Sequence, residues 1–205
     1  MNTKTVKTQA TFSNINVQSF LTDLSNYRNI SGTGGLTSDI TLYDFDFNRN
    51  EGSIQFHIKD GVIKFLNIIR LLEIGNDIRK GKMPPLNDLG NLGQTHFGTL
   101  TGDASIKNNL VAISSIHLSS DKLEGQGSGT LNLNTFGVNI RITAWLKSNK
   151  DQAIPIIVSG DIRHPSVQPD QSAILKTIIN SQEKKIKKTF HKQIEKVLNN
   201  ILSIR

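Results

Sequence analysis

Cysteine is absent from the 205-residue chain, which excludes a disulfide framework, thiol catalysis and every thiolate metal site. The absence fits a reducing cytosol and an oxidising periplasm equally. Aromatic residues are few, with 1 tryptophan and 2 tyrosines beside 9 phenylalanines, so the strands lack the interleaved aromatics on which bases stack. Long apolar runs are missing too. The richest stretch, residues 62–78, is broken by Lys64, Asn67, Arg70 and Glu73, and no helix of the kind that spans a bilayer is expected. The first residues, MNTKTVKTQATF, have no apolar core of about 7 to 15 residues and do not read as a signal peptide. A protein of this sequence working outside the cytosol would take its export signal from elsewhere.

What is present is enough for one real core. A chain of this length buries about 70% of the surface its unfolded form exposes, and 36% hydrophobic with 20% charged residues is too apolar for disorder. The net charge of +7 is uneven. Up to Asp170 there are 16 basic and 15 acidic residues, whereas the last 35 residues hold 8 basic and 2 acidic. The chain therefore divides into a nearly neutral region, 1–170, and a basic segment, 171–205.

Hydropathy alternates with period two through most of the first region, the pattern of strands with one face on a core. The clearest run is Phe136, Val138, Ile140, Ile142, Ala144 and Leu146. Weaker runs are 6–12, 36–42, 54–58 and 154–162, where Pro155 predicts an edge position or a strand start. Around Ser114 and Ser115 the apolar parity flips, which predicts a bulge or tight turn. Two segments carry helical spacing instead: 17–27, with Phe20, Leu21 and Leu24 after the cap residue Asn16, and 64–80, with Leu66, Ile69, Leu72 and Ile78 before Gly81. Residues 82–95 read as a loop. The segment 171–204 has no proline or glycine and sets Ile174, Ile178, Ile186, Phe190, Ile194, Leu198 and Ile201 near one line, which predicts a long amphipathic helix.

No catalytic, metal or cofactor site emerges. His57, His96, His117, His164 and His191 are single, with no pair at metal-ligand spacing. Asp44 and Asp46 would share one side of a strand, without the enclosed site that acid and base chemistry needs. The strings GTGGL (32–36) and GQGSG (125–129) lead into strands rather than helices, so they read as close-approach glycines and not as phosphate loops. The lysines at 184, 185, 187, 188, 192 and 196 admit three readings: the solvated face of a docked helix, a membrane-surface helix, or contacts to nucleic-acid phosphates. A membrane role for Lys184, Lys185, Lys187, Lys188, Lys192 and Lys196 implies attraction to anionic headgroups that weakens as salt rises.

Four segments in fixed order resemble the C-terminal region of the AsmA family of bacterial envelope proteins. They are NINVQSFLTDLSNYRNISGTGGL, GSIQFHIKDGVIKFLNIIRLL, THFGTLTGDASIKNNLVAISSIHLSSDKLEGQGSGTLNL and IPIIVSGDIRHPSVQPD. Asn109 departs from the pattern, standing where the family prefers glycine, and the region after Leu42 is shorter than usual. The family's N-terminal membrane helix and long preceding β-region have no counterpart here. The resemblance implies a curved antiparallel sheet forming an apolar groove; with the helical spacings above, the expected fold is mainly β (α+β), with two short helices packed on the sheet and the long C-terminal amphipathic helix after the family-like region. Phe136, Val138, Ile140, Ile142, Leu146, Ile54, Phe56 and Ile58 are the groove's candidate lining. The implied role is non-enzymatic, the binding or transfer of phospholipid between the inner and outer membranes of a Gram-negative cell in support of outer-membrane biogenesis. The implied location is the periplasm, in association with the inner membrane. Implied partners are phospholipid or a membrane surface, the N-terminal part of an AsmA-like protein, and outer-membrane assembly factors; no nucleic acid and no cofactor is expected. The alternative is a structural or interaction module that affects outer-membrane protein assembly without carrying lipid.

Overall fold

A computed structural model describes residues 4–80 and 93–170, together with Ser172, Ala173 and Lys176, which are helical. The chain divides into two units, Met1–Asp170 and Gln171–Arg205. The expected loop at 82–95, up to its last three residues, and the terminal helix with its lysines lie outside the described residues, apart from those three helical positions.

The first unit is mainly β. Its elements are β1 (Thr5–Asn16), α1 (Val17–Ser25), β2 (Ile30–Tyr43), β3 (Asp46–Ile63), α2 (Ile68–Arg79), β4 (Thr95–Lys107), β5 (Leu110–Ser119), β6 (Leu123–Asn132), β7 (Gly137–Leu146), β8 (Asn149–Asp161) and β9 (Ser166–Pro169). The nine strands form a single antiparallel sheet in sequence order from β1 to β9. Among the described residues the two end strands do not pair with each other, so the sheet is open.

Helix α1 starts where the sequence places it, because Asn16 Oδ1 accepts the Ser19 amide at 3.0 Å and so satisfies one of the first unpaired N–H groups. Helix α2 starts later than its spacing suggests. Asn67 Oδ1 accepts the Arg70 amide at 3.0 Å, which satisfies an unpaired first-turn N–H of the helix that begins at Ile68. Ile68, Leu71, Leu72 and Ile74 are buried, while Ile69, expected on the inner face, is 47% exposed. The helix packs against β7, β8 and β9, and α1 packs against β1 and β2.

Pro155 is neither at an edge nor at a strand start. It lies inside β8, paired with Thr143 on one side, and its carbonyl accepts the Asp170 amide at 2.8 Å on the other. Its missing N–H therefore points past the short outer strand β9, so no β7 bond is lost. The parity flip at Ser114 and Ser115 is a bulge: the β5–β6 register shifts between Ile113 and Ile116 while β5 runs on. Phe136 is not part of the β7 alternation. It has φ 56° and precedes the strand, which begins at Gly137.

Three hairpin ends are tied by asparagines. Asn108 and Asn109 link β4 to β5 with φ 49° and 64°, the pair of left-handed residues of a type I′ turn. Asparagine tolerates that region better than other side chains, so the departure from glycine at Asn109 preserves the turn. Asn109 Nδ2 donates to Asn48 Oδ1 at 2.8 Å and to Asn134 Oδ1 at 2.9 Å, and Asn109 Oδ1 accepts from the buried Asn50 Nδ2 at 2.6 Å. Asn109→Gly keeps the turn but leaves Asn50 short of a partner, an expected loss of about 1–3 kcal/mol. Asn109→Ala should cost about 1 kcal/mol more for the left-handed backbone. Urea midpoints should fall in the order wild type, Gly, Ala; equal midpoints for Gly and wild type would show that the network contributes nothing.

Candidate functional site: an apolar band on one sheet face

Side chains alternate across a sheet, so the pairing register states which residues lie side by side. One row runs Phe12, Leu36, Phe56, Gly102, Ile116, Gly127, Ile142 and Ile156. The next runs Ala10, Ser38, Ile54, Ala104, Ile113, Gly129, Ile140, Val158 and Val167. A third, Ile58, Leu100, Leu118, Gly125, Ala144 and Ile154, is buried throughout. The first two rows are different. Leu36, Phe56, Ile116 and Ile142, with Ile54, Ile113 and Ile140, are only half-buried, and Phe12 is 42% exposed. The principal helix contacts fall on β1–β2 and β7–β9, so the middle of the band, β3 to β6, lies between them and its ends reach β2 and β7.

Glycines shape its floor. Gly125, Gly127 and Gly129 occupy alternate positions of β6, all on this face, so β6 contributes only backbone there. At Gly102 an added Cβ would strike the Phe56 ring, which lies across the glycine and fills the space a side chain would occupy. Both glycine strings of the sequence thus sit within strands, GTGGL in β2 and GQGSG in β6, with neighbouring backbone close above them.

The opposite face is polar. Gln9 Nε2 donates to Asp39 at 2.9 Å, Gln55 Nε2 to Asp103 at 2.9 Å, and Ser115 Oγ to Asp103 at 2.7 Å. Glu124 accepts from Ser119 Oγ at 2.8 Å and pairs with Lys147 at 3.2 Å, while its other oxygen lies 3.2 Å from His117 Nε2. Desolvation raises the Glu124 pKa, but the Ser119 hydrogen bond, Lys147 and His117 outweigh it and the net shift is downward.

The sequence-derived lining residues fall in four places. Ile54, Phe56, Ile140 and Ile142 lie in the half-buried band. Ile58 and Val138 are buried, and Leu146, opposite Leu123, sits half-buried at the α2 end of the same face. Phe136 lies under the Arg163 guanidinium, 4.8 Å from its ring centroid. That guanidinium is held by Asp161, whose carboxyl the hydrogen bonds from Arg163 lower to about 2. Asp44 and Asp46 do not share one side of a strand. Asp44 is in the β2–β3 turn with φ 55° and pairs with Arg49, and Asp46 accepts the Asn48 amide at 2.9 Å. Phe12, Leu36, Ile113 and Ile116 were not among the expected lining; what places them is register with Phe56 and Ile140, a long-range property that alternation within one strand does not carry. Among the described residues no helix is long and apolar enough to cross a membrane.

No family model, no curated protein and no solved structure matches the chain.

Proposed function

We propose that the chain is an AsmA-like envelope protein that binds or transfers phospholipid without chemical change, between inner and outer membranes, from a periplasmic position at the inner membrane. The observation that carries this reading is the band of half-buried aliphatic and aromatic side chains on one face of an open sheet whose other face is polar. From β2 to β7 it crosses five strand spacings, about 24 Å at 4.8 Å each, longer than the ~15 Å depth of one leaflet's hydrocarbon. Each acyl methylene that leaves water on such a surface contributes about 0.8 kcal/mol. The register shifts between Phe12 and Ile15 and between Ile113 and Ile116 put one extra residue in β1 and in β5, as bulges that bend strands do, and in this reading they curve the sheet around the acyl chain as a groove.

The test is transfer of a fluorescent phosphatidylethanolamine between donor and acceptor vesicles. The reading expects protein-dependent transfer that saturates with lipid. An unchanged rate at any protein concentration would contradict it.

A second reading, docking to an outer-membrane assembly partner without lipid, is favoured by one observation. Phe45 and Phe47, at the β2–β3 turn, are 64% and 77% exposed. Under it, Phe45→Ser with Phe47→Ser abolishes capture of one stoichiometric partner; under the lipid reading that double variant transfers lipid as the wild type does.

A further inference from the structure

On β7, Arg141, Thr143 and Trp145 alternate with Ile140, Ile142 and Ala144, so they stand on the polar face, opposite the apolar band. Their β6 partners are Ser128, Gln126 and Glu124. A recess of about 480 Å³ opens there, within the roughly 300–1,000 Å³ of small-ligand sites. Lys150 Nζ lies 5.3 Å from the Trp145 ring centroid. Two carboxylates beside the lining residues are engaged: Glu124, opposite Trp145, by Ser119 and Lys147, and Asp170 by Arg141 at 3.3 Å. Lys150 is exposed and has no carboxylate partner among the described residues.

We propose that this recess is a second binding site, for an acidic saccharide, a sugar bearing a carboxylate or a phosphate. Each part of the ligand meets a matching group. The half-buried indole offers a rigid plane against which the C–H face of a sugar ring stacks. Gln126, Ser128 and Thr143 both donate and accept, as sugar hydroxyls require. The anionic substituent takes the Lys150 ammonium, which swings on its flexible stem from the ring to the ligand, and those of the five Arg141 guanidinium N–H donors that the Asp170 pair through Nη2 does not use. Extended single-stranded nucleic acid fits poorly, because a run of bases needs a run of aromatic platforms and the recess has one.

Trp145 is the chain's only tryptophan, so its emission reports on this site alone. Titration with trigalacturonate and with glucosamine 1-phosphate should give a saturable change in emission. Maltotriose and inorganic phosphate alone should each bind at least about tenfold more weakly, the scale of one charge-assisted hydrogen bond. Lys150→Gln should weaken the acidic sugars by about tenfold and Lys150→Arg should restore them, with unfolding midpoints unchanged. Calorimetry on Trp145→Phe should detect no binding. The proposal is overturned if emission stays flat to millimolar sugar, if inorganic phosphate or maltotriose does as well as the acidic sugars, or if Lys150→Gln binds as the wild type does.

Discussion

Gly75→Val is expected to destabilise the protein by about 3 kcal/mol, the upper part of the range for overpacking a filled core. Gly75 is buried in α2 against β8, where an added Cβ would overlap Ile154 Cδ1 and come within 3.0 Å of Ile154 Cγ1 and Cγ2. Ile154 is itself fully buried, so neither side can give way without shifting the helix. In a helix interior glycine is disfavoured relative to alanine by about 1 kcal/mol. Its presence here therefore reflects close packing rather than backbone preference. Ile154→Val removes the overlapping methyl, so Gly75→Ala should cost less in that background than in the wild type, a coupling a double-mutant cycle reads directly. Gly98→Ala is the control, since a Cβ there meets only Ser119 O at 3.6 Å. With an m-value of about 2 kcal/mol/M, the Gly75→Val urea midpoint should drop by roughly 1.5 M. A drop no larger than that of Gly98→Ala would mean that α2 does not seat on β8 as described.

The second large effect concerns lipid. Phe56→Asp should reduce phospholipid transfer by about a hundredfold, the result of a penalty near 3 kcal/mol, because an acyl chain lying on the band would have to desolvate a carboxylate. Phe56 lies mid-band, paired with Leu36 on one side and Gly102 on the other. Phe56→Leu keeps the apolar surface and should retain most of the transfer, which separates loss of lipid binding from loss of fold. Thr101→Asp puts the same charge on the exposed polar face, opposite His57, and should transfer normally. Equal losses for Phe56→Asp and Thr101→Asp would mean that charge alone, and not the apolar face, governs the rate.

How much of this was readable in the sequence depends on the range of the interaction responsible. The β7 alternation, the Asn16 cap and the Ser114–Ser115 bulge are set by residues a few positions apart, and each was visible as pattern. Phe136 continued the alternation by spacing, but a left-handed turn before Gly137 and the Arg163 guanidinium over its ring took it out of the strand. Pro155 looked like an edge marker, although the edge belongs to β9, whose brevity leaves the N side of Pro155 unpaired. Helix α2 begins at Ile68 rather than Lys64, after the Asn67 side chain that bonds its first turn, and Ile69 faces outward while Leu66 and Leu72 are buried as their spacing predicts. Asn109 read as a departure from a pattern, whereas it joins three hairpin ends across residues 48, 50 and 134. The band was half legible. Ile54, Phe56, Ile140 and Ile142 announced themselves by alternation, while Phe12, Leu36, Ile113 and Ile116 joined them only through strand register.

The central question is what occupies that band in the cell. Native mass spectrometry of the protein purified from bacterial membranes should find a population carrying one or more phospholipid masses, lost in Phe56→Asp and kept in Thr101→Asp. Bare protein alone in the wild type, under conditions that preserve lipid on a control lipid-binding protein, would contradict the assignment.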